Sequence, residues 1–190
     1  MDRIICLAGE SGSGKTTLCK KLEQLGYNVI KSYTTRKPRY ENEYGHIFVD
    51  CVPTILNVHG FTRQDKIKHG IIADTFFDDE YYWALEGQYK NKGTSIYVID
   101  VAGIKELRER VKDAEIVVIY LKVDENTRYK RMVKTRGYES VERIEHDREV
   151  FTTVPCDYAV DANRNIEEVL KDVKGIIEES PRTLVTSVMS

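Results

Sequence analysis

Five short apolar runs punctuate the chain, each closed by polar residues: 3–8 (RIICLA), 28–33 (NVIKSY), 95–100 (SIYVID), 116–123 (IVVIYLKV) and 157–162 (DYAVDA). Most are rich in isoleucine and valine and lack a clean two-residue alternation. That is the pattern of strands covered on both faces, as in a parallel sheet. Helical spacing fills the intervals. One helix starts at Lys15 and carries Leu18, Leu22 and Leu25 on one face, and a second covers 103–112. A third follows DENT (124–127), whose acids suit a helix N-terminus. A fourth begins near Ser140, with Val141, Ile144 and Arg148 on one side, and the last covers 165–178. Strand then helix, repeated, predicts an α/β fold with right-handed crossovers.

Residues 33–84 break this rhythm. They hold polar and aromatic turns, a short helix pattern over 62–69, and the runs IIADTFF and EYYWAL. This stretch is predicted to be an inserted lobe. The last ten residues, PRTLVTSVMS, read as a mobile tail.

Composition narrows the partners more than the fold. The 190 residues suit one domain with an insertion, and 41% hydrophobic with 32% charged residues is ordinary for a globular chain. Twenty-nine basic against thirty-one acidic residues give a net charge of −2, which favours neither nucleic acid nor an anionic membrane as partner. Cys6, Cys19, Cys51 and Cys156 lie far apart without a CxxC pair, so buried reduced thiols are expected. No signal peptide and no apolar run near the roughly 18 residues of a membrane span stand out, and the expected location is cytoplasmic. Oligomeric state leaves no trace in the sequence.

The candidate chemistry starts at GESGSGKTTL. Gly9, Gly14, Lys15 and Thr16 fill every fixed position of G-x-x-x-x-G-K-[ST], between a predicted strand and a predicted helix. Small residues permit a tight turn whose N–H groups face an anion, and the helix start adds its positive dipole end. Gly9, Glu10, Ser11, Gly12, Ser13, Gly14, Lys15, Thr16 and Thr17 are therefore expected around the phosphates of ATP. Lys15 reaches the outer phosphates, and the Thr16 hydroxyl ligates Mg²⁺. Further on, SYTTRKPR places Arg36 and Arg39 around Pro38. Two guanidinium forks so close suit a second phosphate, bound bidentately. Alone, the same pattern also fits a solvated basic turn.

GESGSGKTTL followed by SYTTRKPR, then an insertion, YVIDVAG and an arginine-rich segment, resembles the guanylate kinase-like family of P-loop nucleoside monophosphate kinases. The resemblance implies a P-loop three-layer α/β fold with a central parallel sheet. It implies a core at about 1–32, 85–122 and 154–180, a nucleoside-monophosphate lobe at 33–84, a helical lid at 124–153, and a flexible tail at 181–190. The implied reaction is phosphoryl transfer from ATP to a nucleoside monophosphate, GMP or dGMP first, with Mg²⁺. Ser32, Arg36, Arg39 and Tyr82 match the family's contacts to the acceptor phosphate. Asp100 matches an acid near the reacting phosphates and is placed near Mg²⁺, through water. Arg131, Arg136 and Arg143 match lid arginines that neutralise charge during transfer. The acceptor is already an anion, so no general base is required.

The lobe departs from the family pattern. Ala73 stands where the guanine-reading carboxylate belongs, Ala84 where a hydroxyl belongs, Trp83 where a glycine is usual, and His46 where a phosphate-binding tyrosine is common. Alanine accepts no hydrogen bond, so weaker guanine discrimination or another base is expected. A one-residue bulge would turn Asp74 into the pocket, and Asp78, Asp79 and Glu80 are further candidates. The alternatives are a kinase of the same fold for a modified nucleotide or another small acceptor, a binding module, and a nucleotide-hydrolysing switch. An intact triphosphate loop argues against the module, and the Arg36–Arg39 pair against the switch.

Overall fold

The computed structural model describes residues 1–50, 62–77, 79–136, 144–145, 147–148, 151 and 153–179, with the side chains of residues 63, 77, 135 and 136 outside that set. A five-stranded parallel sheet runs in the order β2-β7-β1-β8-β9. Its strands are β1 (Asp2–Ala8), β2 (Asn28–Ile30), β7 (Thr94–Val98), β8 (Ala114–Lys122) and β9 (Tyr158–Asp161). The missing alternation in the sequence has its cause here. Ile4, Cys6 and Ala8 face one apolar cluster with Ile104 and Leu107. Ile5 and Leu7 face another, with Leu18, Leu22 and Val173. Both faces of β1 are buried, so both need apolar side chains.

Helices α1 (Lys15–Gln24), α3 (Val101–Arg110), α4 (Glu125–Arg136) and α5 (Ile166–Glu178) follow strands as expected. The side chain of Asn165 caps α5, accepting from the amides of Glu167 and Glu168. Val169, Val173 and Ile177 then repeat at helical spacing on its buried face. Asp100 caps α3 in the same way, its Oδ1 accepting from Gly103 N at 2.6 Å. The cap moves the start of this helix to Val101, two residues before the position read from spacing. Of the helix expected near Ser140, residues 144–145 and 147–148 are helical, and Val141 lies outside the described residues. The expected tail lies outside them as well.

The insertion builds its own four-stranded sheet, β4-β3-β6-β5, from β3 (Ser32–Thr34), β4 (His46–Phe48), β5 (Ile71–Phe77) and β6 (Glu80–Leu85). The run 28–33 is therefore not one strand. It pairs with β7 up to Ile30, leaves the main sheet at Lys31, and pairs from Ser32 with β4 and β6. Tyr33 stacks on Trp83 at 5.5 Å between ring centroids, which ties β3 to the β5–β6 hairpin. Helix α2 (Arg63–Lys68) begins at a capping box between Thr62 and Asp65. No helix among the described residues is long and apolar enough to cross a membrane.

Gly12 marks where α4 presses on the β1–α1 loop. Its φ is +80°, and a Cβ there would lie 2.9 Å from the Arg128 carbonyl oxygen and 3.0 Å from Met132 Cγ. Gly26 has φ +94° with nothing within 4 Å of such a Cβ. Gly26→Ala should thus cost about 1 kcal/mol of backbone strain alone, and Gly12→Ala about 1–3 kcal/mol more. Urea unfolding checks this; equal costs would mean that α4 is not tightly seated on the loop.

Candidate active site

The turn between β1 and α1 is a loop closed on itself. Gly9, Gly12 and Gly14 hold φ of +149°, +80° and +96°. A Cβ on Gly9 would come within 2.8 Å of Ser13 Oγ and 2.9 Å of the Leu121 carbonyl, so only glycine fits against the end of β8. Ser13 is buried. Lys15 Nζ donates to the carbonyls of Gly9 (2.5 Å) and Glu10 (2.9 Å) and to Ser13 Oγ (3.3 Å). The ammonium thus lies on the loop it is expected to serve. Gly14 caps α1 without a side-chain acceptor, so the first-turn amides suit an external anion. Thr16 and Thr17 are exposed at the head of that helix.

Beside the loop lies a cavity of about 270 Å³ lined by Ser13, Gly14, Thr17, Arg131, Arg164 and Asn165, among others. Arg131 bridges its rim, donating to Gly12 O (3.5 Å) and Ala162 O (3.0 Å). Arg136 ends α4, with its side chain outside the described residues, and Arg143 lies wholly outside them.

Arg36 and Arg39 converge on one carboxylate. Arg36 Nη1 and Nη2 donate to Glu43 Oε2 and Oε1 at 3.0 and 2.8 Å, a fork-on-fork pair. Arg39 adds its backbone N to Oε2 at 2.7 Å and its Nη1 to Oε1 at 3.5 Å. The Glu43 side chain is only 6% exposed. Burial pushes its carboxyl up, but the Arg36 hydrogen bonds and the Arg39 amide outweigh this and hold it below the ordinary carboxylate value. The Arg36 guanidinium lies 5.3 Å from the centre of the Phe48 ring. Two cations thus meet at a point built for an anion, and Glu43 supplies one.

A second cavity, of about 180 Å³, opens between the two sheets and is lined by Ser32, His46, Asp74, Tyr82, Tyr97 and Asp100 among others. Ser32 Oγ and Tyr97 Oη are 3.1 Å apart. Burial pushes the Tyr97 hydroxyl well above its ordinary value, so it stays protonated. Burial, then the Arg36 charge, depress the His46 imidazole, whose ring lies 5.6 Å from that of Tyr82. Asp100 Oδ1 caps α3, while Thr75 Oγ1 lies 3.5 Å from Oδ2.

The register of β5 shifts between Ile71 and Ala73, so that Ala73 faces Ala84 and Asp74 faces Trp83. Ala73 and Asp74 both line the second cavity. Ala84 does not line it; it is fully buried in the core cluster beside Ala73 and Ile72, which corrects its assignment to the pocket. Lys66 Nζ and Arg110 Nη1 each contact Asp74 Oδ1 at 2.9 Å. Asp79 occupies the β5–β6 turn with φ +58°, Glu80 accepts from Thr35, and Asp78 lies outside the described residues.

Four further residues belong to this region without having been singled out by sequence. Glu43 and Tyr97 are two of them. The others are Arg128 and Asp147, buried against the loop. Only Glu43 carried a local signal, its four-residue spacing from Arg39.

Residues 5–152 match the family described as AAA domain. The chain belongs to that family. It is a guanylate kinase-like P-loop kinase, a phosphotransferase. It is 26% identical over 190 residues to a guanylate kinase of Clostridium perfringens, covering 92% of this chain and 82% of that one. It is also 26% identical over 181 residues to a provisionally named adenylate kinase of Thermoplasma volcanium, covering 95% and 97%. A crystal structure of guanylate kinase from Anaplasma phagocytophilum has the same fold, with a TM-score of 0.58 at 19% identity over 93% of this chain and 84% of that one.

The Arg36–Glu43–Arg39 cluster makes a direct prediction. Glu43→Ala should destabilise the fold by about 1–3 kcal/mol, because a half-buried guanidinium loses its partner. Inorganic phosphate should raise the Tm of the variant more than that of the wild type. Equal shifts would mean that the two arginines do not form an anion site.

Proposed function

We propose that this kinase transfers the γ-phosphoryl group of ATP to a nucleoside monophosphate, with GMP or dGMP as the preferred acceptor. One observation carries the reading: the chain holds two clusters suited to an anion, one at the carboxyl end of β1 and one in the insertion. One is the glycine loop with Lys15; the other is the Arg36–Arg39 pair on Glu43, to which the family pattern adds Ser32 and Tyr82. A hydrolase or a switch needs only the first.

The glycine cradle, the anion-facing helix start and the adjoining cavity fit ATP and Mg²⁺. Gly9 to Thr17 would hold the phosphates, Thr16 would ligate Mg²⁺, and Asp100 would act on it through water. The bound ion would draw charge from the phosphates being transferred. Lys15 leaves the loop carbonyls for the outer phosphates. Arg36 and Arg39 exchange the Glu43 carboxylate for the acceptor phosphate, so part of the binding energy replaces an existing ion pair. Arg131, Arg136 and Arg143 neutralise charge on the equatorial oxygens. No residue needs to remove a proton, since the nucleophile is a phosphate oxygen.

For base selection, Asp74 is the candidate reader. It lines the acceptor cavity, and the bulge before it in β5 supports its presentation there. Its Oδ1 is held by two cations, and its carboxylate would accept from the guanine donors. A second reading, a base other than guanine, draws on the Thermoplasma volcanium relative and on the alanine at position 73. Measuring kcat/KM for the four common base types decides between them. GMP or dGMP should lead, and Asp74→Ala should lower its advantage by about 10- to 150-fold, the worth of a hydrogen bond to a charged group. A flat or adenine-led profile in the wild type would overturn the guanine assignment and leave the kinase chemistry standing.

A further inference from the structure

Arg128 and Asp147 hold the first half of the phosphate loop from outside, and the reaction proposed above does not use them. They are 3% and 5% exposed. Asp147 Oδ2 accepts from the backbone N of Ser11 at 2.7 Å and from Arg128 Nη1 at 3.2 Å. Arg128 Nη1 also reaches the Ser11 carbonyl at 3.4 Å, and its Nη2 lies 3.8 Å from Glu10 Oε1. The other oxygen of Glu10 accepts from the Tyr120 hydroxyl at 2.8 Å. Burial first, and then this hydrogen bond, push that hydroxyl above its ordinary value, so it remains a donor. Both backbone polar groups of Ser11 are thus tied to this pair. One residue on, Gly12 packs against the Arg128 backbone.

A buried ion pair is a poor source of stability. Two charges lose their hydration, and well-packed apolar residues of similar volume are often equally stable or more so. This pair has a more specific use. Asp147 gives the Ser11 amide an acceptor whatever occupies the nucleotide site. A carboxylate beside a loop meant for a polyanion would repel it, and Arg128 cancels that charge. We propose that Arg128 and Asp147 are positioning residues for the triphosphate: together they form a charge-neutral latch that keeps residues 10–12 in phosphate-binding shape. The proposal rests on the reading of this loop as a triphosphate site, and it is independent of the acceptor.

The test is titration calorimetry on the full chain with Mg·ADP, and separately with GMP, without turnover. The double variant Arg128→Met with Asp147→Leu removes the charges and keeps the volume. Its Tm should stay near that of the wild type while its Kd for Mg·ADP rises about tenfold or more, the scale of one charge-assisted hydrogen bond. Its affinity for GMP should not change. Arg128→Met alone should weaken Mg·ADP further, because Asp147 and Glu10 then face the phosphates without a counter-charge. Asp147→Asn keeps an acceptor oxygen for Ser11 and should bind within about threefold of the wild type, a fraction of the loss expected when the acceptor is removed. A double variant that binds Mg·ADP as tightly as the wild type overturns the latch alone. So does an equal loss of ADP and GMP binding, or an Asn variant as weak as the double one. A wild type that does not bind Mg·ADP overturns the triphosphate reading and the latch with it. Should the double variant not fold, Asp147→Ala against Asp147→Asn gives the same comparison.

Discussion

A loop whose amides turn toward one point must be held in that shape by something other than itself. Positive φ at Gly9, Gly12 and Gly14 is only half of the solution. The other half is close approach: the end of β8 behind Gly9, the backbone of α4 behind Gly12, and Lys15 on the carbonyls of Gly9 and Glu10. The central position of β1 follows from this need. It lies between β7 and β8, so the loop emerges with a neighbouring strand end on either side. One neighbour leads into Asp100 and α3; the other leads into α4. Dense apolar packing on both faces of β1 fixes the strand that carries the loop.

The insertion solves a second problem, that of holding two cations close together without mutual repulsion. Glu43 makes this possible. It fixes Arg36 and Arg39 in one orientation and neutralises part of their charge. The same logic recurs at Asp74, where Lys66 and Arg110 hold one carboxylate oxygen, and at Asp147, where Arg128 does so. In each case a charged side chain is oriented by an opposite charge.

Much of this was legible in the sequence where the cause is local. The glycine loop is specified within ten residues, and the buried strands announce themselves through isoleucine and valine on both faces. The Asn165 cap and the Thr62–Asp65 box mark helix starts at short range. Other features depend on distant partners. Nothing in NVIKSY signals that the chain changes sheets at Lys31, because that is decided by pairing with β4 and β6. Ala84 looked like a pocket residue by alignment, yet its place opposite Ala73 in β6 puts it in the core. Arg128 and Asp147 are nineteen residues apart on a polar stretch, where each reads as an ordinary surface charge. Their burial arises only when α4 is seated under the loop.

The proposed reaction requires a phosphoryl group to pass from ATP on the glycine loop to an acceptor at the Arg36–Arg39 pair. Following the γ-phosphoryl group of ATP by ³¹P NMR, with GMP present and with Lys15→Ala as control, tests it most directly. The γ resonance should be lost as a new nucleoside diphosphate resonance grows, with little inorganic phosphate and no turnover in the variant. Inorganic phosphate as the main product, or the same transfer catalysed by Lys15→Ala, would contradict it.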